Sequence, residues 1–227
     1  MAKNIYIGAN KEFTVTNLLD YNSLSNYNEY WGSRIASGQT RCTGWAKFMA
    51  PPGNIKCGFF YNNITTGVGE VTYTLTTNGA NNIEINLNNS HKYYFSIMLY
   101  QDNDSPSGSF DAYWPIQEPP LINKFKLSKG RTWEKISVIV TKTNVNNGKY
   151  PVRIDYNEPK NGYGMRFGNI TLVDLTETFG VGEEPTKEWC DINLDFSDGS
   201  SDNAEDTANI KISKSVARKV KKIYIGG

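Results

Sequence analysis

Between residues 70 and 175, apolar side chains recur at every second position in short runs, with turn-forming residues between the runs. Tyr93–Tyr100 is the clearest case. Tyr93, Phe95, Ile97 and Leu99 fall on one face and Tyr94, Ser96, Met98 and Tyr100 on the other, the period of a strand and not of a helix. The same phase turns Ile136, Val138 and Val140 inward within Trp133–Thr141, and it groups Tyr150, Val152, Ile154 and Tyr156. Val71–Thr77 and Ile83–Leu87 flank Asn78-Gly79, a pair that tolerates positive φ and predicts a hairpin. Ser-Lys-Gly-Arg joins Leu121–Leu127 to Trp133–Thr141, and the Gly-rich stretch 161–164 leads into Met165–Val173. Residues 101–120 carry Asp102, Asp104, Pro106, Gly108, Pro115, Pro119 and Pro120 and read as one long loop. No 3.6-residue period is sustained between 40 and 175. Short strands of period two predict an all-β fold, a jelly-roll β-sandwich.

Composition supports that reading. The chain has 227 residues, enough for one medium domain or two small ones. Aromatics make up 13%, and 26 residues are Asn, a composition of turns and pleated faces, not of a helical bundle. One His (His91) and three Cys (Cys42, Cys57, Cys190) disfavour a His-dependent triad, a multi-His zinc site and a disulfide framework. A formal charge of +1 argues against a broad nucleic-acid or anionic-membrane surface. The longest apolar run, Tyr93–Tyr100, is too short to span a bilayer. Met-Ala-Lys-Asn opens no apolar stretch, so no signal peptide is expected and the chain should be made in the cytoplasm with reduced thiols. A Cys42–Cys57 bridge stays open if the two lie on neighbouring strands.

The ends differ from the middle. Residues 191–206 hold six acidic residues and no Lys or Arg, whereas 211–222 hold six basic residues and no acid. The basic stretch ends in Lys221-Lys222-Ile223-Tyr224-Ile225-Gly226, a near copy of Lys3-Asn4-Ile5-Tyr6-Ile7-Gly8. Alternating Ile-Tyr-Ile is edge-strand sequence, able to pair with its own copy or with another chain. Four segments follow: an N-terminal docking strand at 1–12, a sandwich at 13–180, a clasp and acidic linker at 181–209, and a basic docking strand at 210–227. Ile5, Tyr6, Ile7, Ile223, Tyr224 and Ile225 are the assembly residues.

Asp174-Leu175-Thr176-Glu177-Thr178-Phe179-Gly180-Val181-Gly182-Glu183-Glu184-Pro185-Thr186, closing with Trp189-Cys190-Asp191, makes local sense as a clasp. Asp174 and Thr176 can bond the backbone of a tight turn, and Gly180 and Gly182 supply positive φ. Pro185 suits a first helical position, and Trp189 is expected to turn back onto the sandwich, closing its end. The run resembles a motif of phage tail and tail-fibre proteins that follows the last strand of a carbohydrate-binding-module-like jelly roll. Glu183 stands where that family usually has Asn. Thr16-Asn17-Leu18-Leu19 resembles the family's first strand. The terminal Ile-Tyr-Ile-Gly copies resemble repeats of structural proteins from phages and prophages of low-GC Gram-positive bacteria.

The resemblance implies a virion component, in a tail fibre or baseplate, that binds host surface glycan without catalysing a reaction. Its partners would be other virion proteins and its own copies, with a trimer favoured. The rival is a purely structural capsid decoration or baseplate assembly protein, and a glycan-degrading enzyme ranks third. Sugar sites stack aromatic rings on pyranose faces and flank them with Arg, Asp or Asn. The candidates are Tyr94, Tyr100, Tyr113, Trp114, Arg153 and Asp155, with Met98, Lys135 and Arg166 on the same expected face; the competing reading is that these rings cover a sheet or a neighbouring subunit. Catalysis would need two acids about 5–9.5 Å apart, such as Glu134 and Asp155, yet the strand phase sets Asp155 beside Arg153 as an ion pair. His91 reads as a solvated turn residue. No cofactor is expected. A structural Ca²⁺ is common in such sandwiches, and Asp102-Asn103-Asp104, the densest oxygen cluster, makes Asp102 and Asp104 its candidate ligands, although three polar residues in a loop are also ordinary turn chemistry. Gly162 and Gly164 lie between strands with no helix following, so they form no phosphate loop.

Overall fold

The alternating run Tyr93–Tyr100 becomes the centre of a four-stranded sheet. The computed structural model describes residues 2–6, 12–19, 31–35, 58–61, 70–77, 81–82, 84–115, 119–157 and 164–194. In it β8 (Lys92–Gln101) pairs with β11 (Glu134–Thr141) on one side and β14 (Gly164–Asp174) on the other, and β14 pairs with β4 (Gly58–Tyr61). A second sheet runs β10 (Ile122–Phe125), β9 (Ser109–Tyr113), β13 (Arg153–Asn157), β5 (Glu70–Thr77) and β3 (Trp31–Ile35), with β6 (Asn81–Asn82) on β5. Among the described residues two ribbons complete the strands: β1 (Ala2–Tyr6) with β2 (Glu12–Thr16), and β7 (Glu84–Leu87) with β12 (Gly148–Pro151). All these pairings are antiparallel. The molecule is an all-β jelly-roll β-sandwich.

Period two fills the core. Phe95, Ile97 and Leu99 of β8 and Phe167 and Leu172 of β14 meet Phe110, Ala112, Ile154 and Tyr156 of the second sheet in one buried cluster. Ile136, Val138 and Val140 pack against it, as the pattern predicts. Removing one of these Phe rings would cost about 3–5 kcal/mol, the transfer loss plus the cavity left behind.

Three local expectations change. Residues 101–120 are not one loop, because β9 lies among their Pro and Gly residues. The pairing expected around Asn78-Gly79, which lie outside the described residues, is short: Thr76 and Thr77 pair with Asn82 and Asn81, and β7 pairs with β12 instead of with β5. Tyr150–Tyr156 keeps one phase but divides at Val152, β12 joining the β7 ribbon and β13 entering the sheet.

Two short helices, α1 (Leu175–Phe179) and α2 (Lys187–Asn193), form the clasp. Asp174 caps α1 by accepting from the Glu177 amide at 2.8 Å, and Gly180 and Gly182 take φ of 102° and 82°, where a Cβ would be strained. Thr186 caps α2, accepting from the Trp189 amide at 3.3 Å, so Lys187 and not Pro185 takes the first helical position and Pro185 precedes the cap. Glu184 accepts from the Thr176 hydroxyl at 2.8 Å and the Lys92 ammonium at 3.1 Å. Trp189 meets Phe179 edge-on at 5.7 Å. With Val15, Tyr94, Val173, Leu175, Cys190 and Leu194 they form a second buried cluster. The clasp therefore covers the outer face of the β11–β8–β14 sheet and not the end of the sandwich.

Asn17 ties β2 to that sheet. Its amide donates to the Ile170 carbonyl at 3.0 Å while its Oδ1 accepts from Leu172 N at 2.9 Å. β1 pairs within the chain: Ile5 stands opposite Phe13 and Tyr6 opposite Glu12. Ile7, Ile223, Tyr224, Ile225, Cys42 and Cys57 lie outside the described residues.

Candidate functional site

The expected sugar-binding face is two faces. Strand phase separates inward from outward residues but not one sheet from the other. Tyr94, Met98, Tyr100, Lys135 and Arg166 belong to the β11–β8–β14 sheet, whereas Tyr113, Arg153 and Asp155 lie on the opposite side of the sandwich. Tyr94 is buried beneath the clasp, where its hydroxyl donates to Asp191 at 2.9 Å, and burial pushes its phenol far up. Trp114 is 0% exposed: it is a core residue, edge-on to Tyr93 at 4.8 Å, with its indole N–H on the Tyr150 carbonyl at 3.3 Å. Tyr100 is buried against Trp133 at 5.3 Å. These three do not join the site.

Nor do Asp102 and Asp104 converge on a cation. Asp102 receives a two-pronged bond from Arg166 at 3.0 and 3.1 Å, and Asp104 pairs with Arg131 at 3.1 Å. Their donors already face guanidinium groups, so they do not fit a calcium site. Among the described residues no three His, Cys, Asp or Glu side chains are grouped to hold a metal. Glu134 accepts from the Ser128 amide and hydroxyl, both at 3.0 Å, on the other sheet from Asp155, so the two acids share no cleft. His91 is half-buried, bonding Asp174 at 2.8 Å and Asn88 at 2.9 Å, and belongs to the clasp and not to solvent.

The remaining three come together on the outward face of β9 and β13. Phe110 and Ala112 turn into the core with Ile154 and Tyr156, so the intervening Asp111, Tyr113, Arg153, Asp155 and Asn157 turn away from it. Arg153 stands opposite Tyr113 and Asp155 opposite Asp111. Such cross-strand pairs have Cβ atoms about 4.5–5.5 Å apart. The Arg153 Nε donates to both Asp155 oxygens at 2.8 and 3.0 Å, its Nη2 bonds the same carboxylate, and the guanidinium carbon lies 4.9 Å from the Tyr113 ring centre. One face of the phenol is thereby fixed. Asp111 accepts from the Asn157 amide at 2.7 Å, from the Tyr113 hydroxyl at 3.4 Å and from the Lys124 backbone N–H.

Two carboxylates face one another here, Asp155 only 1% and Asp111 5% exposed. Like charges opposite one another would repel, and the guanidinium, amide and backbone donors offset that repulsion. Lys124 adopts φ 47° to bring its N–H onto Asp111, at a bulge between β10 and β9. Burial, then the fields of Asp111 and Asp155, raises the Tyr113 phenol, so it stays a neutral donor at physiological pH. The partly exposed groups are the Tyr113 ring, Arg153 and Asn157, above a floor of buried acid. A flat ring with fixed donors beside it can stack on an apolar sugar face and bond its hydroxyls. Asp111, Asn157 and Lys124 escaped the sequence reading. The signal for Asp111 was Ser-Phe-Asp-Ala-Tyr, an alternating run masked by the surrounding Pro and Gly.

Fold and site thus define a β-sandwich that carries a polar and aromatic cluster on one sheet face. No model of a known protein family matches the chain, and no curated protein sequence matches it. Among solved structures it is similar to CBM27-1 of Caldicellulosiruptor saccharolyticus in complex with mannohexaose, at 9% identity and TM-score 0.48, covering 70% of this chain and 95% of that one. It is also similar to TmCBM61 in complex with β-1,4-galactotriose, at 11% identity and TM-score 0.46, covering 70% and 99%. Tailspike protein 4 of bacteriophage CBA120 is similar at 12% identity and TM-score 0.43, covering 69% of this chain and 21% of that one. No helix among the described residues is long and apolar enough to cross a membrane.

Proposed function

We propose that the chain is a non-catalytic glycan-binding module that recognises host surface carbohydrate through Tyr113, Arg153 and Asn157 above the buried Asp111 and Asp155. The observation that carries the reading is the Arg153 guanidinium, held by Asp155 and lying over the Tyr113 ring, 4.9 Å from its centre, on an outward sheet face. Such preorganisation lowers the entropy lost when a sugar is bound. The sequence resemblance of 174–191 and of the terminal copies to phage structural proteins supports a place on a virion, in a tail fibre or baseplate, among other virion proteins and in a self-associated form with a trimer favoured.

A second reading, a purely structural capsid decoration or baseplate part, draws on Val181 and Ile192, apolar clasp residues 87% and 75% exposed, which suit a protein partner. The hydrolytic reading ranks below both, because the two facing carboxylates spend their bonds on protein donors. Wild-type protein and Tyr113→Ala are compared on a glycan array and in co-sedimentation with host cell walls, with released reducing ends assayed in parallel. The proposal expects wild-type binding, its loss in Tyr113→Ala, and no released reducing ends. No wild-type binding to any glycan or wall would overturn it, and a Tyr113-dependent release of reducing ends would replace it with an enzyme.

A further inference from the structure

The two copies of the terminal hexapeptide differ at one position, Asn4 against Lys222. The structure shows what the first copy does. Lys3, Asn4, Ile5 and Tyr6 stand opposite Val15, Thr14, Phe13 and Glu12 on β2. β2 itself is anchored independently of β1. Val15 is buried in the clasp cluster with Phe13 packed against it, and Asn17 bonds Ile170 and Leu172 of β14. A strand fixed at its root and paired along its length with a sequence that occurs twice is a slot that either copy fits.

We propose that Lys221–Tyr224 of one copy takes the place of Lys3–Tyr6 on β2 of a neighbouring copy, linking chains by strand exchange. In the same register Ile223 would stand opposite Phe13, Tyr224 opposite Glu12 and Lys222 opposite Thr14. Residues 195–220, extended, reach roughly 90 Å, ample to cross to a neighbour. Exchange of near-identical strands leaves the ladder energy almost unchanged, so local concentration decides which copy wins. The link of residues 7–11 gives β1 a high effective concentration in a dilute chain. Exchange prevails where copies are crowded on a particle, or where β1 is weakened.

This mechanism makes the two ends act in opposite directions. Proline removes a ladder donor, and adjacent strand residues donate to opposite edges, so a Pro pair must strike the edge that faces β2. Full-length wild type, Asn4→Pro/Ile5→Pro, Lys222→Pro/Ile223→Pro and the combined variant are compared by sedimentation velocity over a wide concentration range. Circular dichroism checks each for the sandwich. The N-terminal variant should show a several-fold larger associated fraction than wild type. The C-terminal variant should be monomeric, and the combined variant monomeric and folded. Equal loss of association from both ends would mean addition at the β1 edge and overturn exchange. A monomeric N-terminal variant would overturn it in favour of the chain's own tail or an empty slot. Association that persists in the combined variant would overturn it as non-specific.

Discussion

Tyr113 and Trp114 are neighbours in sequence and opposites in role. Tyr113 lies partly exposed under the Arg153 guanidinium, and Trp114 is sealed in the core against Tyr93. Tyr113→Ala should weaken glycan binding by tenfold or more, roughly 1.4 kcal/mol, while shifting the melting temperature by only a degree or two. Trp114→Ala should instead cost about 3–5 kcal/mol by opening a cavity, with any loss of binding following loss of the fold. Thermal melts beside binding isotherms check the pair. Arg153→Lys keeps the charge but loses the fork on Asp155 and the guanidinium over the Tyr113 ring, so binding should fall without rescue by that conservative change. Retention of wild-type affinity would show that the charge alone matters. At this scale the sequence was partly legible. Chemistry and phase named Tyr113, Arg153 and Asp155, but nothing in Tyr94, Tyr100 or Trp114 told which sheet or which covering element would bury them.

Among the elements, the clasp was the most legible, because its cap, turn and helix-start signals are local. Asp174, Gly180 and Gly182 act as their residue types require, and only the start of α2 moved, from Pro185 to Lys187 behind a Thr186 cap. Its landing place was not legible, since that depends on Asp191. Burial alone would push Asp191 upward, but bonds from Lys187, Ser137 and Tyr94 outweigh it and hold the carboxyl below its ordinary range. Glu184 is likewise lowered: burial opposes, and Thr176 and Lys92 prevail. A carboxyl depressed in the folded state stabilises fully above its unfolded value, about 4, and that contribution is lost as pH falls through the folded value. The clasp should thus hold from neutrality down to about pH 4 and loosen below it. Hydrogen exchange at the Trp189 and Cys190 amides reads this directly. Asp191→Asn should flatten the acid dependence, and an unchanged profile would contradict the role given to Asp191. Cys190, fully buried with its thiol pushed up to about 12, should resist alkylation until the clasp opens.

For the whole molecule, period-two patterning was enough to place it among all-β sandwiches. It could not set strand order, because β8 pairs with β14 across a long sequence separation and no local signal encodes that partner. The hidden β9 shows the same limit, for turn residues around a short strand hide its alternation. Sheet assignment decides which candidates share a face: it splits the expected binding face between one sheet, where the clasp covers Tyr94, and the other, whose outward face bears Tyr113 and Arg153. Contacts between copies that use the acidic stretch 191–206 and the basic stretch 211–222 should weaken with salt, since exposed charges are screened within about 8–10 Å. Light scattering at low and high ionic strength checks this, and association indifferent to salt would remove those stretches from the interface. The most direct test of the central claim is backbone amide chemical-shift mapping of the full chain titrated with a glycan that it binds. Perturbations should centre on Tyr113, Arg153 and Asn157, with the Lys124 amide responding through Asp111. Shifts centred on Tyr100 and Trp133 of the other sheet, with β9 and β13 silent, would contradict it.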